Sequence, residues 1–434
     1  MTTANASRHS TKHAKTTRPA TNSALRFELK ANTDAGARLI RIAEETAVEF
    51  AGAAAEHDRE ATYPFEVIDS LRDSGYFTAP IPEQFGGLGV ESIHDVLVAS
   101  TRLARTNPSV TIGVNMHLAA VANMARRHSL AVATGNERRA NAFGQSMKMI
   151  VDGDVVMAAA VSEPAQDLTR PDATAVRTDN GWVINGMKIF CTMSPAANAL
   201  YVAVTYENDD GRELYGYALI PKVTAGVTVN DDWDALGMRS SGSNSVVFKD
   251  VHVPANALRG GFPAGELTAE FMERNISAGP FHASGSLGIA EAAHEIAVNA
   301  LAKKRRGDDT ASPHTQMLAA QNAIDISAMR SIFDRAGNLI DDYYAKNPAT
   351  EAGIDEMAAL FAEVQSAKTF INEAAQRVVD RALSLSGGGG YFSKHPLSRA
   401  YRDVRAGAFM HPLGANRAYE FIGEIALGLK PTLR

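Results

Sequence analysis

Few residues in this chain are chemical by type and spacing alone. Histidine, with an ordinary pKa of about 6.5, is the side chain suited to moving protons near neutral pH, and the chain has 12. No grouping of His, Asp and Glu has metal-ligand spacing. The single cysteine, Cys191, excludes a disulfide within the chain and a multi-cysteine metal site. Gly387–Gly390 directly follows a strongly amphipathic stretch. Glycines there let backbone amides approach a pyrophosphate closely; a flexible linker is the plainer reading. Lys303-Lys304-Arg305-Arg306 suits an anion or the solvated end of a helix.

The elements that must position these residues fall into three regions. From about Asp34 to Val156 apolar residues recur at helical spacing, as in Ala37–Ala55 and in Phe65, Ile68 and Leu71. From Met157 to Val253 the period becomes two, with short strands around Asn180-Gly181, Asn185-Gly186 and Asp209-Asp210-Gly211. Asn-Gly is a strong hairpin signal, so an antiparallel β-barrel or sandwich is expected. From about Phe271 the helical period returns, most clearly in Ile371, Ala375, Val378, Val379, Ala382 and Leu383, a stripe that ends at Gly387. The expected fold is therefore mainly α with a central β domain. Its parts are a disordered tail (1–33), an N-terminal helical domain (34–156), a middle β domain (157–262) and a C-terminal helical bundle (263–434).

The totals narrow the function. With 434 residues, 45% hydrophobic and 21% charged, the chain has an ordinary globular composition. A net charge of -6 argues against non-specific nucleic-acid binding. No apolar run approaches the roughly 20 residues that span a bilayer, so no membrane partner is expected. One cysteine fits a reducing cytoplasm. The first residues, to about Ser23, carry Arg8, Lys12, Lys15 and Arg18 and no acid. They read as a disordered tail or, alternatively, a transit peptide.

Several stretches resemble the acyl-CoA dehydrogenase family. Leu71–Tyr76 followed by Pro82–Gly89 is similar to its N-terminal signature, and Ser162-Glu163-Pro164 to its Thr-Glu-Pro flavin segment. Asn185–Thr192 resembles the next flavin-lining strand. Leu236–Ser241 with Val246–Pro254 resembles the end of its β domain. Gly387–Tyr391 with Arg399 and Arg402–Arg405 resembles its C-terminal signature. The resemblance implies a flavin oxidoreductase holding FAD, with FMN as the alternative. The ring would be lined by Val161, Ser162, Phe190 and Thr192, and Phe190 would stand where the family usually has Trp. It also implies a homotetramer in which Gly387 and Gly388 meet the cofactor diphosphate of a neighbouring subunit. Arg306 lies where a family arginine contacts that diphosphate, but the following Phe is missing.

Other positions depart from the family. Its carboxylate base commonly stands eight residues after the Asp of the Arg-Asp pair; counting from Asp403 gives His411. His411 is a general acid or base, a hydrogen-bond partner of the flavin edge or a peroxide, or a structural residue beside Pro412. The family's other base position falls near Ala278, and Glu273 reaches it only if the helix register shifts by five residues. Leu168 and His282 are candidate substrate contacts, with Leu168 replacing a frequent Ser and Gly279 a frequent Arg. His117 is a further candidate for the pocket wall. The first expectation is oxidation of an acyl-CoA or related thioester, by α-proton abstraction and β-hydride transfer to flavin N5, with an electron-transfer flavoprotein as acceptor. The alternative is a two-component flavin monooxygenase fed by a flavin reductase, hydroxylating an aromatic ring or an amine. A catalytically silent flavin- or acyl-binding protein is the third.

Overall fold

The structure, a computed structural model, describes residues 27–153, 155–164, 167–304, 311–350 and 352–432. Six helices open the chain: α1 (Asp34–Glu49), α2 (Ala53–Glu60), α3 (Phe65–Asp73), α4 (Ile93–Ala104), α5 (Pro108–Ala133) and α6 (Glu137–Asp152). Asn107 starts α5 by accepting from the Val110 amide, and Pro108 occupies the first turn, where its missing N–H costs nothing. Every residue of α4 is buried, because α1 and two later helices, Ala278–Lys304 and Pro313–Lys346, cover it.

The expected disorder to residue 33 is corrected for 27–33; residues 1–26 lie outside the described residues. The buried carboxylate of Asp95 accepts from the amides of Asn32 at 2.7 Å and Thr33 at 2.9 Å and from the Thr33 hydroxyl at 2.6 Å. Those bonds fix the entry into α1, for which Thr33 is also the cap.

The middle domain has β1 (Met157–Ala160), β2 (Thr174–Thr178), β3 (Gly181–Cys191), β4 (Ala199–Glu207), β5 (Glu213–Pro221), β6 (Val227–Val229), β7 (Asn244–Val253) and β8 (Leu258–Pro263). The order is β6-β7-β3-β2-β4-β5-β8, with β1 also on β4. The central β domain stands as expected, but it is mixed: β1 and β2 both run parallel to β4. Asn180-Gly181 joins β2 to β3 in a hairpin. Asn185-Gly186 does not turn the chain; it is a bulge inside β3, between Ile184 and Gly186 in the ladder with β7. Gly186 has φ 149°, and a Cβ there would lie 2.5 Å from that of Ala173.

The C-terminal bundle contains α7 (Ala269–Asn275), α8 (Ala278–Lys304), α9 (Pro313–Lys346), α10 (Ile354–Ser386), α11 (Pro396–Asp403) and α12 (Ala415–Ala426). The α10 stripe is buried at Ile371, Ala375, Val378, Val379 and Ala382. Each such Val or Ile contributes about 1.5–3 kcal/mol on burial. Both helical regions share one apolar cluster that also takes in Ala203, Tyr215, Tyr217 and Phe262 of the sheet, and the sheet has a second cluster around Ile184, Leu200, Val202 and Phe248. The sheet thus packs directly on the helices, and the site lies where the two meet.

Candidate active site

A cavity of about 370 Å³ opens between the sheet and the helices. Its sheet wall carries Val161 and Ser162 after β1, Phe190 and Thr192 at the end of β3, then Trp233, Met238 and Ser243. Phe190 sits at a second ladder irregularity of β3, with φ 52°, a left-handed conformation unusual for a bulky residue. Phe190 is 56% exposed, and its ring meets Trp233 edge-on at 6.0 Å. Strain that exposes an apolar ring points to a ligand-facing role. Beside it the Thr192 hydroxyl bonds Ser243 at 3.0 Å, and Ser243 bonds Ser241 at 2.7 Å.

A buried ion pair braces this wall from below. Glu163 meets Lys188 at 2.5 Å and accepts from the amides of Asp172 at 2.6 Å and Ala173 at 2.9 Å. Lys188 also donates to the Val161 carbonyl oxygen at 3.4 Å. Burial pulls the Lys188 ammonium below its ordinary range while Glu163 opposes that shift.

The helical wall comes from α5 (Ile112, Met116, Asn123), α7 and α8 (Arg274, Ala278, His282) and the segment after α11 that ends at Met410 and His411. Asp403 clasps the helices to the β domain: its buried carboxylate accepts from the Met238 amide at 2.6 Å. Burial raises its pKa to about 6. Arg402 binds Asp58 through both terminal nitrogens, at 2.9 and 2.5 Å. His411 follows as part of the inner wall, and its Nε2 has no hydrogen-bond partner. Burial first, then the charges of Lys368 and Arg417, push the imidazole down to about 3. His411 is thus neutral at ordinary pH. Both ring nitrogens of buried His282 also lack partners, and burial holds that ring well below the usual range.

Of the positions singled out by sequence, Val161, Ser162, Phe190, Thr192, His282 and His411 line this one cavity. Others do not. Leu168 packs into the apolar cluster instead. His117 is a satisfied packing residue: the Met157 amide donates to Nδ1 at 3.0 Å and Nε2 bonds the Phe77 carbonyl oxygen at 3.0 Å. Gly387 and Gly388 lie exposed on the turn after α10, outside the cavity lining. Arg306 lies outside the described residues.

Glu273 is no displaced base. It is buried against Arg126 at 3.1 Å and Arg127 at 3.4 Å, and its neighbour Arg274 faces the cavity. Among the described residues the lining holds Arg274, Arg402 and Arg405 but no Asp or Glu. Sequence reasoning missed Arg274, Tyr201, Tyr217 and Trp233. The parallel stack of Tyr201 on Tyr217, 4.6 Å apart, depends on the β4–β5 register. Of the four, only Trp233 carried a signal, as one of two tryptophans.

Among the described residues no cluster of His, Cys, Asp and Glu is placed to hold a metal, and no helix is long and apolar enough to cross a membrane. An aromatic plate beside a row of hydroxyls, with unspent imidazole nitrogens opposite, suits a flavin ring, which needs apolar stacking and a few aimed hydrogen bonds.

Three family models match in order. They are the acyl-CoA dehydrogenase N-terminal domain at residues 39–129, the middle domain at 158–251 and the C-terminal domain at 281–412. The chain is 31% identical over 405 residues to the amino sugar nitrososynthase DnmZ of Streptomyces peucetius, covering 91% of this chain and 94% of that protein. The structure of KijD3 with FMN and dTDP-3-amino-2,3,6-trideoxy-4-keto-3-methyl-D-glucose superposes with a TM-score of 0.83 at 29% identity, over 92% of this chain and 95% of that one. The nitrososynthase from Micromonospora carbonacea var. africana gives 0.81 at 28% identity, over 92% and 98%.

Proposed function

The chain belongs to the acyl-CoA dehydrogenase family and is a flavin-dependent oxidoreductase, and from that premise we propose that it oxygenates the amino group of a nucleotide-linked sugar. The observation that carries this reading is a cavity with flavin-compatible residues on one wall, unpartnered imidazoles on the other and, among the described residues, no carboxylate. Dehydrogenation of a thioester needs a carboxylate base at the α-carbon, and the described lining offers none. The names of the similar proteins support an amine as the oxidised group and a nucleotide as its carrier.

When bound, the reduced flavin supplies two electrons and activates dioxygen. The balance is amine, dioxygen and reduced flavin to hydroxylamine, water and oxidised flavin. The chain's own residues do the rest. Phe190 and Trp233 shield the reacting face from water. Thr192 and Ser162 offer hydroxyls to the polar edge of the ring. A neutral imidazole gives a hydrogen bond rather than a free proton, so His411 holds its Nε2 toward the oxygen that leaves as water. Arg405 favours an anionic substrate, whereas Arg274 and Arg402 face the cavity with their charge met by Glu270 and Asp58. The nitrogen reacts as the free amine, because an ammonium has no lone pair to attack with.

The finer assignments follow from the same reading. FMN is the first flavin to test, because the similar structure holds it. A flavin reductase supplies it, in the cytoplasm. The assembly is a homotetramer, with Gly387 and Gly388 exposed for a neighbouring subunit. The test is a pair of anaerobic and aerobic spectra. Reduced FMN, dioxygen and a dTDP-amino sugar should give a product carrying one ¹⁸O from ¹⁸O₂. Bleaching of bound oxidised flavin by an acyl-CoA, with no oxygen incorporation, would instead establish the dehydrogenase.

A further inference from the structure

Behind the helical wall stands a cation that the reading above leaves unused. Lys368, on α10, is 2% exposed. Its Nζ donates to the carbonyl oxygens of Met410 at 2.5 Å, Leu413 at 2.7 Å and His411 at 3.3 Å. An ammonium has three protons, and this one segment supplies three acceptors. Among the described residues no carboxylate pairs with Lys368, and burial pulls its pKa down, to about 7. An uncompensated buried cation is costly, while every bond it makes goes to the segment that carries His411. The groups facing that imidazole are Lys368 from α10, His282 from α8 and Arg417 from α12. Arg274, paired with Glu270, Arg402, paired with Asp58, and Arg405 stand around the cavity.

We propose that Lys368 is a positioning residue. By holding Met410, His411 and Leu413 through their carbonyl oxygens, it sets where the His411 imidazole stands. This rests on the proposed role of His411 and deepens it. The ring can hydrogen-bond the departing oxygen only if its orphan Nε2 is held at the wall and unprotonated. Lys368 does not line the cavity, so its removal should change the chemical step and not substrate capture.

The test reads His411 directly, in flavin-free protein labelled with ¹³C in its histidine rings. The His411 signal is the one lost in His411→Asn. In the unaltered protein it should not titrate between pH 5 and 8. In Lys368→Met the signal should shift or broaden, and kcat should fall about 10- to 100-fold with KM within about 3-fold. Lys368→Arg, which keeps charge and donors, should return the signal and part of kcat. If Lys368→Met does not fold by circular dichroism, Lys368→Gln takes its place with the same expectation. A His411 signal and a kcat both unchanged in the neutral variant overturn the proposal. Full turnover in His411→Ala sinks the role of His411 itself. The ring signal in Lys368→Met still reports whether Lys368 holds that imidazole, so the two failures are separable.

Discussion

The two walls of the cavity spend their polar groups in opposite ways. On the sheet side the buried Glu163 accepts from two amides and Lys188, and the Thr192, Ser243 and Ser241 hydroxyls bond one another. On the helical side His282 has neither ring nitrogen bonded, His411 lacks a partner at Nε2, and Gln365 behind them has neither amide atom bonded. Buried polar groups are normally satisfied, so the contrast separates a prebuilt holding surface from one whose bonding capacity is kept for a ligand. Substitutions on the sheet side should therefore change stability and flavin affinity, and those on the helical side should change turnover.

The largest effect expected is at Glu163. Glu163→Gln leaves the Lys188 ammonium buried without its charge partner, which costs about 3–5 kcal/mol. Urea unfolding should record that loss, and flavin affinity should fall with it. Adding Lys188→Met should recover part of the stability. A variant as stable as the parent would mean that the ion pair does not brace the wall.

His411→Ala tests the other side. Losing one preorganised donor to a developing charge costs about 10²–10³-fold in rate. Flavin affinity should stay within about 3-fold, and the melting temperature should hardly move. Because burial and the neighbouring cations push His411 to about 3, it is neutral throughout pH 5–8. Its titration should therefore contribute no limb to the rate profile in that range. A limb near pH 6.5 that disappears in His411→Ala would contradict the neutral ring.

Asp403 ties the two walls together without lining the cavity, and its effect should be intermediate. Its carboxyl is raised from 3.8 to about 6 by burial. A folded-state pKa above the unfolded one means that the native chain holds this proton more tightly. The contribution is full below about pH 4, declines as pH rises toward 6, and is gone above it. Replacement by Asn keeps an acceptor for the Met238 amide without a charge. Asp403→Asn should therefore remove on the order of 1–3 kcal/mol of pH-dependent stability between pH 4.5 and 7.5. Matched denaturation curves at the two pH values would show parent and variant equally sloped if the shift were absent.

How far these walls could be read in the sequence follows the same division. The sheet wall is local: Val161-Ser162 and Phe190–Thr192 are short runs that the resemblance alone picked out. The position of His411 came from counting along a short segment from Asp403, whose bond to Met238 fixes that segment. The rest depends on distant partners. An Asn-Gly pair satisfies a hairpin or a bulge equally well, and only pairing with β7 decided which Asn185-Gly186 became. Glu273 and Arg274 are adjacent, and only Arg126 and Arg127 on α5 decide that the acid turns away while the arginine faces the cavity. Lys368 sits on an apolar-looking helix 43 residues before the turn it holds, with no spacing rule to betray it.

The smallest expected effect is the sharpest test of the comparison. Thr192→Val keeps shape and volume but removes one hydroxyl from the sheet wall. Ser243 retains its bond to Ser241, so no buried donor is stranded. The protein should unfold as the parent does, within about 0.5 kcal/mol. What is lost is one neutral hydrogen bond to the flavin's polar edge, worth about 0.5–1.5 kcal/mol. Titration with reduced FMN should then show affinity weaker by about 2- to 10-fold, while turnover at saturating flavin stays near that of the parent. A holding surface predicts that split between affinity and rate. If Thr192→Val binds flavin normally but turns over as slowly as His411→Ala, then the hydroxyl acts on the reacting atoms, and the division of labour between the walls is wrong.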